Sequence, residues 1–103
     1  MDNATATIRL SALAQETRIA IFRALVPAGP EGMNPGVLGE KLCTAQARLS
    51  FHLKELRNAC LIQARQESRY IFYSADFAAM SELLPFLTEN CCGDSADACR
   101  LPC

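Results

Sequence analysis

The apolar residues in the first quarter of the chain recur at the spacing of an amphipathic helix. In the stretch "IRLSALAQETRIAIFRALVPAG" the residues that follow this spacing are Ile8, Leu10, Leu13, Ile19, Phe22, Leu25 and Val26. Pro27 and Gly29 then interrupt the pattern, because proline and glycine are the poorest helix formers. We predict two helices, over residues 4–13 and 16–26.

A short helix is predicted next. Asn34 precedes Pro35, which is a typical helix start. The asparagine side chain can accept a backbone hydrogen bond, and the N–H that proline lacks is not needed at the first helical position. The helix that follows, "PGVLGEKL", is expected to turn its large apolar residues inward. These residues are Val37, Leu38 and Leu42.

A second helix follows after very few residues. Thr44 is predicted to cap this helix, whose sequence is "AQARLSFHLKELRNA". Leu49, Leu53 and Leu56 recur on one face. The residues left for the other faces include Arg48, Ser50, Phe51, Lys54 and Arg57. Two helices with so short a connection predict a helix-turn-helix.

The remaining pattern predicts a β-hairpin and a last helix. In "LIQARQESRYIFYSA" two runs of strand-forming residues enclose the polar turn "QESR", with Arg65 and Arg69 flanking the tip. A hairpin directly after a helix-turn-helix is a wing. From Ala75 to about Asn90 the pattern is helical, and its apolar stripe fits either the core or a second subunit. The stripe consists of Phe77, Met80, Leu83, Leu84 and Leu87. The predicted fold class is mainly α with a β-hairpin.

The net charge of −1 conceals an uneven distribution of charge. Between Lys41 and Tyr70 the chain has six basic and two acidic residues, whereas the rest has four basic and nine acidic residues. A basic segment inside an otherwise acidic chain is typical of a DNA-binding protein, although a solvated helix face can also be basic.

Length and composition exclude several classes of protein. The 103 residues correspond to one domain, small enough for contacts with a second copy to add to its stability. No apolar run approaches the roughly 20 residues of a membrane span, and the first residues do not resemble a signal peptide. We therefore expect a cytoplasmic protein without membrane contact. With a single histidine and no catalytic motif or cofactor loop, it is predicted not to be an enzyme and to take no organic cofactor or small organic substrate.

Three segments, "LAQETRIAIFRAL", "LSFHLKELRNACLI" and "RQESRYIFYSA", resemble the ArsR/SmtB family of metal-responsive winged-helix repressors. The resemblance covers most of residues 10 to 76. It implies a bacterial homodimer that leaves its operator DNA when a metal or metalloid binds. It also implies the fold order α1-α2-α3-α4-β1-β2-α5, in which α1 and α5 form the dimer and α4 enters the major groove.

Candidate DNA-binding residues follow from the geometry of a helix-turn-helix, in which the exposed start of the second helix reaches the base edges. Gln46 can pair with adenine and Arg48 with guanine, and Ser50 lies on the same part of the helix. His52 lies deeper along this helix, where it either touches phosphate or makes a local hydrogen bond. The residues better placed for phosphates are Lys54, Arg57, Arg65 and Arg69. The two wing arginines could also be solvated hairpin charges.

At two positions this chain lacks a glycine that many family members have. Many members have glycine after the recognition helix and at the wing tip, whereas this chain has Cys60 and Ser68. A positive φ at such sites costs a non-glycine residue about 1 kcal/mol, so we expect the local geometry to differ here. Cys60 is interpreted as structural and Cys43 as a small buried apolar residue.

The cysteines suggest an inducer site at the end of the chain. The resemblance places the thiolate ligands of one branch at Asn34, Gly36 and Gly39, none of which carries a thiol, and residues 77–87 lack the histidines of the zinc-sensing branch. The stretch "LTENCC" resembles an arsenite-responsive branch with its site after the last helix. The cysteines that remain for this role are Cys91, Cys92, Cys99 and Cys103.

Thiolate chemistry supports this set, because soft sulfur donors select thiophilic ions and a reducing cytoplasm disfavours disulfides. As(III) takes three sulfurs, which we assign to Cys91, Cys92 and Cys99, with Cys103 as an alternative or fourth ligand. We thus predict a winged-helix domain over residues 1–90 and a metalloid-binding tail over 91–103, with As(III) or Sb(III) as inducer. Alternatives are a redox sensor, a sensor of zinc or cadmium, and a DNA-free thiol carrier.

Overall fold

The computed structural model describes residues 1–89 and contains five α-helices and one hairpin within them. The helices are α1 (Asn3–Leu13), α2 (Glu16–Ala28), α3 (Pro35–Leu42), α4 (Gln46–Asn58) and α5 (Phe77–Leu87), and the strands are β1 (Ile62–Glu67) and β2 (Tyr70–Ala75). The predicted element order is confirmed. In the part of the chain that the structure describes, no helix is long and apolar enough to cross a membrane. The tail cysteines Cys91, Cys92, Cys99 and Cys103 lie outside the described residues.

The helix α2 extends further than its sequence predicts. It continues through Pro27 to Ala28 and ends at Gly29, whose φ of 68° is readily adopted by glycine. Pro27 lies in the last turn, where the loss of one backbone donor affects only the end of the hydrogen-bond ladder. A short 3₁₀ turn, Gly29–Glu31, then leads toward α3.

The start of α3 is as predicted, but the start of α4 is not. The side chain of Asn34 accepts a hydrogen bond from the Val37 backbone N–H at 2.9 Å, so it caps α3. Thr44 does not cap α4, because its hydroxyl donates to the Leu42 carbonyl and Ala45 occupies the N-cap position without a side-chain hydrogen bond. The inward orientation predicted for Val37 is also wrong. It lies one position off the face shared by Leu38 and Leu42 and is exposed.

The core lies between α2, α3, α4 and the base of the hairpin. The leucines on one face of α4 are buried, which confirms the stripe predicted from their spacing. They pack with fully buried side chains from the other elements. These are Ile21 and Leu25 of α2, Leu38 of α3, and Leu61 just before β1. The core therefore fixes α4 against the rest of the domain and leaves its opposite side exposed.

The hairpin pairs β1 and β2 in an antiparallel register from Ile62 opposite Ala75 to Glu67 opposite Tyr70. Met33 adds a short bridge to its outer edge, because its N–H donates to the Tyr73 carbonyl at 2.9 Å and its carbonyl accepts from the Tyr73 N–H at 2.8 Å. The wing is thus tied by backbone hydrogen bonds to the segment before α3.

Among residues 1–89, three residues other than glycine have a positive φ: Cys43 at 52°, Cys60 at 61° and Ser68 at 61°. The geometry at Cys60 and Ser68 is therefore the one glycine favours, and our expectation of a different local geometry is wrong. The surrounding fold imposes these angles despite the cost. Cys43 ends α3 in the left-handed conformation and is exposed, so the prediction that it is buried is also wrong. Cys60 is exposed as well.

The last helix packs with only part of its apolar stripe. Asp76 caps α5 by accepting from the Ala79 N–H, and Leu83 is buried, whereas three other members of the stripe are exposed. The exposed members are Phe77, Leu84 and Leu87. Arg9 of α1 connects the two terminal helices, since its guanidinium donates to the Ala79 carbonyl at 3.0 Å and lies 3.5 Å from the Glu82 carboxylate.

Candidate nucleic-acid interface

The side of α4 that faces away from the core carries several exposed polar and basic residues. Arg48, Lys54 and Arg57 are exposed there, together with Ser50. Ser50, Lys54 and Arg57 also line an open depression beside Tyr73 of the wing. Lys54 and Arg57 therefore lie on one surface with the hairpin, and a phosphate backbone could approach these two cations together. Arg48 is exposed on α4 outside this depression.

Gln46 is exposed but already has a hydrogen-bond partner. Its side-chain N–H donates to the Pro35 carbonyl at 3.0 Å, which joins the starts of α3 and α4. Gly39 makes this position possible, because a Cβ added there would collide with the Gln46 amide nitrogen. One N–H of the Gln46 amide is thus engaged within the protein, and the second N–H and the Oε1 atom are the groups that could pair with adenine.

His52 lies on the buried side of α4, among the leucines of the core. Its Nδ1 accepts a hydrogen bond from the Arg18 Nε–H at 3.0 Å, so the neutral ring carries its proton on Nε2. Burial lowers the pKa of His52 below its usual value, and the positive charges of Arg18 and Arg48 lower it further against an opposing effect of Glu55. The local hydrogen bond, not the phosphate contact, fits this position. His52 follows Leu49 by three residues, which places both on one helix face.

The two wing arginines have different surroundings. The Arg65 guanidinium lies 3.0 Å from the Glu67 carboxylate and 5.3 Å from the centre of the Phe72 ring. It also donates to the Pro30 and Glu31 carbonyls at 3.4 Å, which holds the wing against the 3₁₀ turn. Arg69 occupies the exposed turn of the hairpin and makes no ion pair with any residue from 1 to 89.

Two residues at this surface were not predicted from the sequence. Phe51 is 55% exposed on α4, and its ring meets the His52 ring edge to face at 5.3 Å and 64°. Arg18, on α2, places its guanidinium 5.7 Å from the centre of the Phe51 ring. Phe51 had a sequence signal, because it is an apolar residue off the leucine face. Arg18 had none, because 34 residues separate it from His52.

Comparison with known proteins agrees with this architecture. A family model described as a helix-turn-helix domain matches residues 13–62. Nodulation protein NolR of Rhizobium meliloti is 36% identical over 89 residues, which covers 86% of this chain and 70% of NolR. The structure of HlyU from Vibrio cholerae matches with a TM-score of 0.67 at 34% identity and covers 84% of this chain and 97% of HlyU. An ArsR-like regulator from Rhodococcus sp. RHA1 has the same fold, with a TM-score of 0.75 at 25% identity, over 82% of this chain and 76% of that one. The chain belongs to the ArsR-like family.

The ArsR-like assignment makes the protein a DNA-binding transcriptional regulator of the winged helix-turn-helix type and not an enzyme. Within residues 1–89 no three His, Cys, Asp or Glu side chains are grouped so that they could hold a metal ion.

Proposed function

We propose that this ArsR-like regulator is a cytoplasmic repressor that binds double-stranded operator DNA as a homodimer and leaves it when As(III) is bound by its C-terminal thiolates. The observation that carries the DNA-binding part is the exposed basic side of α4. Arg48, Lys54 and Arg57 project from a helix whose other side is fixed in the core. A rigid helix with cations on its free side suits the major groove.

The homodimer is supported by apolar side chains that the single chain leaves exposed on its terminal helices. On α1, Ile8 is 56% and Leu10 41% exposed. On α5, Leu84 is 55% and Leu87 49% exposed. Such side chains gain about 25 cal/mol for each Å² removed from water, so a second copy covering both helices would be favoured.

The inducer site rests on the sequence of the tail. Cys91 and Cys92 are adjacent in the sequence, and three residues separate Cys91 from the end of α5. Cys99 is the proposed third ligand, and Cys103 is the alternative or fourth. Three thiolates match the three bonds of As(III), and Sb(III) is expected to bind in the same way. The donors contain no nitrogen, which favours a soft ion over a catalytic zinc.

Inducer binding at the tail would affect DNA binding through the terminal helices α1 and α5. Arg9 joins α1 to α5 at Ala79 and Glu82, so a ligand that pulls on the end of α5 also acts on α1. We propose that this changes the dimer interface and the separation of the two α4 helices. The ligand must bind the DNA-incompetent form more tightly, by about 1–3 kcal/mol for typical coupling.

The test is fluorescence anisotropy of the duplex upstream of the protein's own gene. Reduced protein is bound first, and arsenite or zinc is then added. We expect arsenite, but not zinc, to release the DNA from the unaltered protein, and Cys92→Ser to bind DNA equally well without being released. Release of Cys92→Ser at the same arsenite concentration would contradict the proposed site.

Redox sensing is a second candidate. One solved structure of the relative HlyU is described as the reduced protein from Vibrio cholerae, at 33% identity to this chain. Exposed thiols that oxidise to a disulfide could also act as a switch, and two cysteines would suffice. Release by a mild oxidant in the absence of arsenite, reversed by a thiol reductant, would support this candidate over the metalloid.

A further inference from the structure

The most outward part of the recognition surface contains one large apolar side chain. Ala47, Phe51 and Lys54 follow one another at spacings of four and three residues, on the side of α4 opposite Leu49 and Leu56. All three are exposed. Ala47 is small, so the Phe51 ring is the apolar group that extends furthest from this side of the helix.

The Phe51 ring is also held in place. The His52 ring packs against it, the Arg18 guanidinium lies beside it, and a hydrogen bond joins Arg18 to His52. Because these contacts restrict the ring before any partner arrives, less conformational entropy is lost on binding. This is an ordered apolar contact on the same helix face as the cations.

Charge complementarity identifies the partner that would cover Phe51. Exposed cations lie on the same helix before and after it, at Arg48 and Lys54, so an anionic partner is attracted to this face. The exposed apolar residues proposed for the dimer lie on other elements, α1 and α5. Duplex DNA supplies both the negative charge and, in the major groove, one apolar group, the 5-methyl group of thymine.

We propose that Phe51 is a specificity-determining residue that packs its ring against the thymine 5-methyl group in each operator half-site. The proposal rests on the proposed function, in which α4 enters the major groove. On the same helix, one amide N–H of Gln46 is engaged with Pro35. Part of the sequence preference then comes from an apolar contact, in addition to any hydrogen bonds to base edges.

The experiment removes only the methyl group. Duplexes bound by the unaltered protein are selected from a randomised pool, and each thymine in a half-site is replaced in turn by deoxyuridine. We expect one position per half-site at which the replacement weakens binding about fourfold, and about fifteenfold when both half-sites are changed, from the usual value for a buried methyl group. Phe51→Ala should bind the thymine duplex at least as weakly as the unaltered protein binds the deoxyuridine duplex, because it loses the whole ring, and should not distinguish the two duplexes.

Lys54→Ala is the matched control on the same helix face. It should weaken binding to both duplexes by the same factor, because a phosphate contact does not depend on the methyl group. If no deoxyuridine replacement weakens binding, or if Phe51→Ala still distinguishes the duplexes, the role of Phe51 is overturned while the proposed DNA binding stands. If the unaltered protein selects no duplex at all, both proposals are overturned. The deoxyuridine replacements use unaltered protein, so that part of the test does not depend on how a variant folds.

Discussion

The different surroundings of the two wing arginines predict different contributions to DNA affinity. Arg69 is exposed in the turn and has no acidic partner among residues 1–89, so in a complex it is available for a phosphate. Arg65 already contacts Glu67, the Phe72 ring and two backbone carbonyls. Replacing each arginine by glutamine should therefore change the salt dependence of binding unequally.

The magnitude for Arg69 follows from counterion release. Each neutralised phosphate contributes about 0.9 to the slope of log affinity against log salt concentration, so Arg69→Gln should lower the slope of a dimer by about 1.8. Over a fourfold rise in salt, this corresponds to about a tenfold smaller loss of affinity. Arg65→Gln should lower the slope by less than half as much, because the lost interactions are mainly within the protein.

Fluorescence anisotropy of operator binding at several salt concentrations measures both slopes. Glu67→Gln is the complementary variant. It removes the acidic partner of Arg65 and one negative charge from the wing, so affinity should rise. Equal slopes for Arg65→Gln and Arg69→Gln would refute the distinction drawn between them.

Three further predictions concern stability and can be checked by urea unfolding. Leu56→Ala should lower the free energy of unfolding by about 2–5 kcal/mol, since Leu56 is fully buried; a loss below 1 kcal/mol would mean that the core is not packed as described. Cys60→Gly should raise that free energy by about 1 kcal/mol, because the φ of 61° strains a cysteine but not a glycine, and a decrease would contradict the strain. Because the pKa of His52 is lowered in the folded protein, the unfolded chain takes up a proton more readily than the folded one. The free energy of unfolding should therefore fall as the pH drops below about 6.5, by at most about 1.4 kcal/mol per pH unit. His52→Gln should lack this part of the pH dependence, and an unchanged profile would exclude His52 as its source.

The elements that the sequence predicted well are those whose pattern reflects burial. Leu49, Leu53 and Leu56 recur at helical spacing because one side of α4 faces the core, and the hairpin follows from strand-forming residues on either side of a polar turn. Asn34 could be recognised as a cap because capping is local, with its partner Val37 only three residues away.

What the sequence did not predict depends on contacts between distant segments. The hydrogen bond from Arg18 to His52 joins residues 34 positions apart, and the contacts of Arg65 with Pro30 and Glu31 span a similar distance. These contacts decide which polar residues of α4 and the wing are available to DNA. The positive φ at Cys60 was likewise not predicted, because tertiary packing can impose an angle against the preference of the residue.

Both proposals depend on α4 entering the major groove, and Arg48 tests this most directly. The measurement is the anisotropy of an operator duplex titrated with the unaltered protein and with Arg48→Ala, under reducing conditions without arsenite. We expect the binding free energy of Arg48→Ala to be less favourable than that of the unaltered protein by about 1–3 kcal/mol, the usual contribution of an arginine–guanine pair. Unchanged affinity and sequence preference in Arg48→Ala would contradict the assignment of α4 as the reading helix.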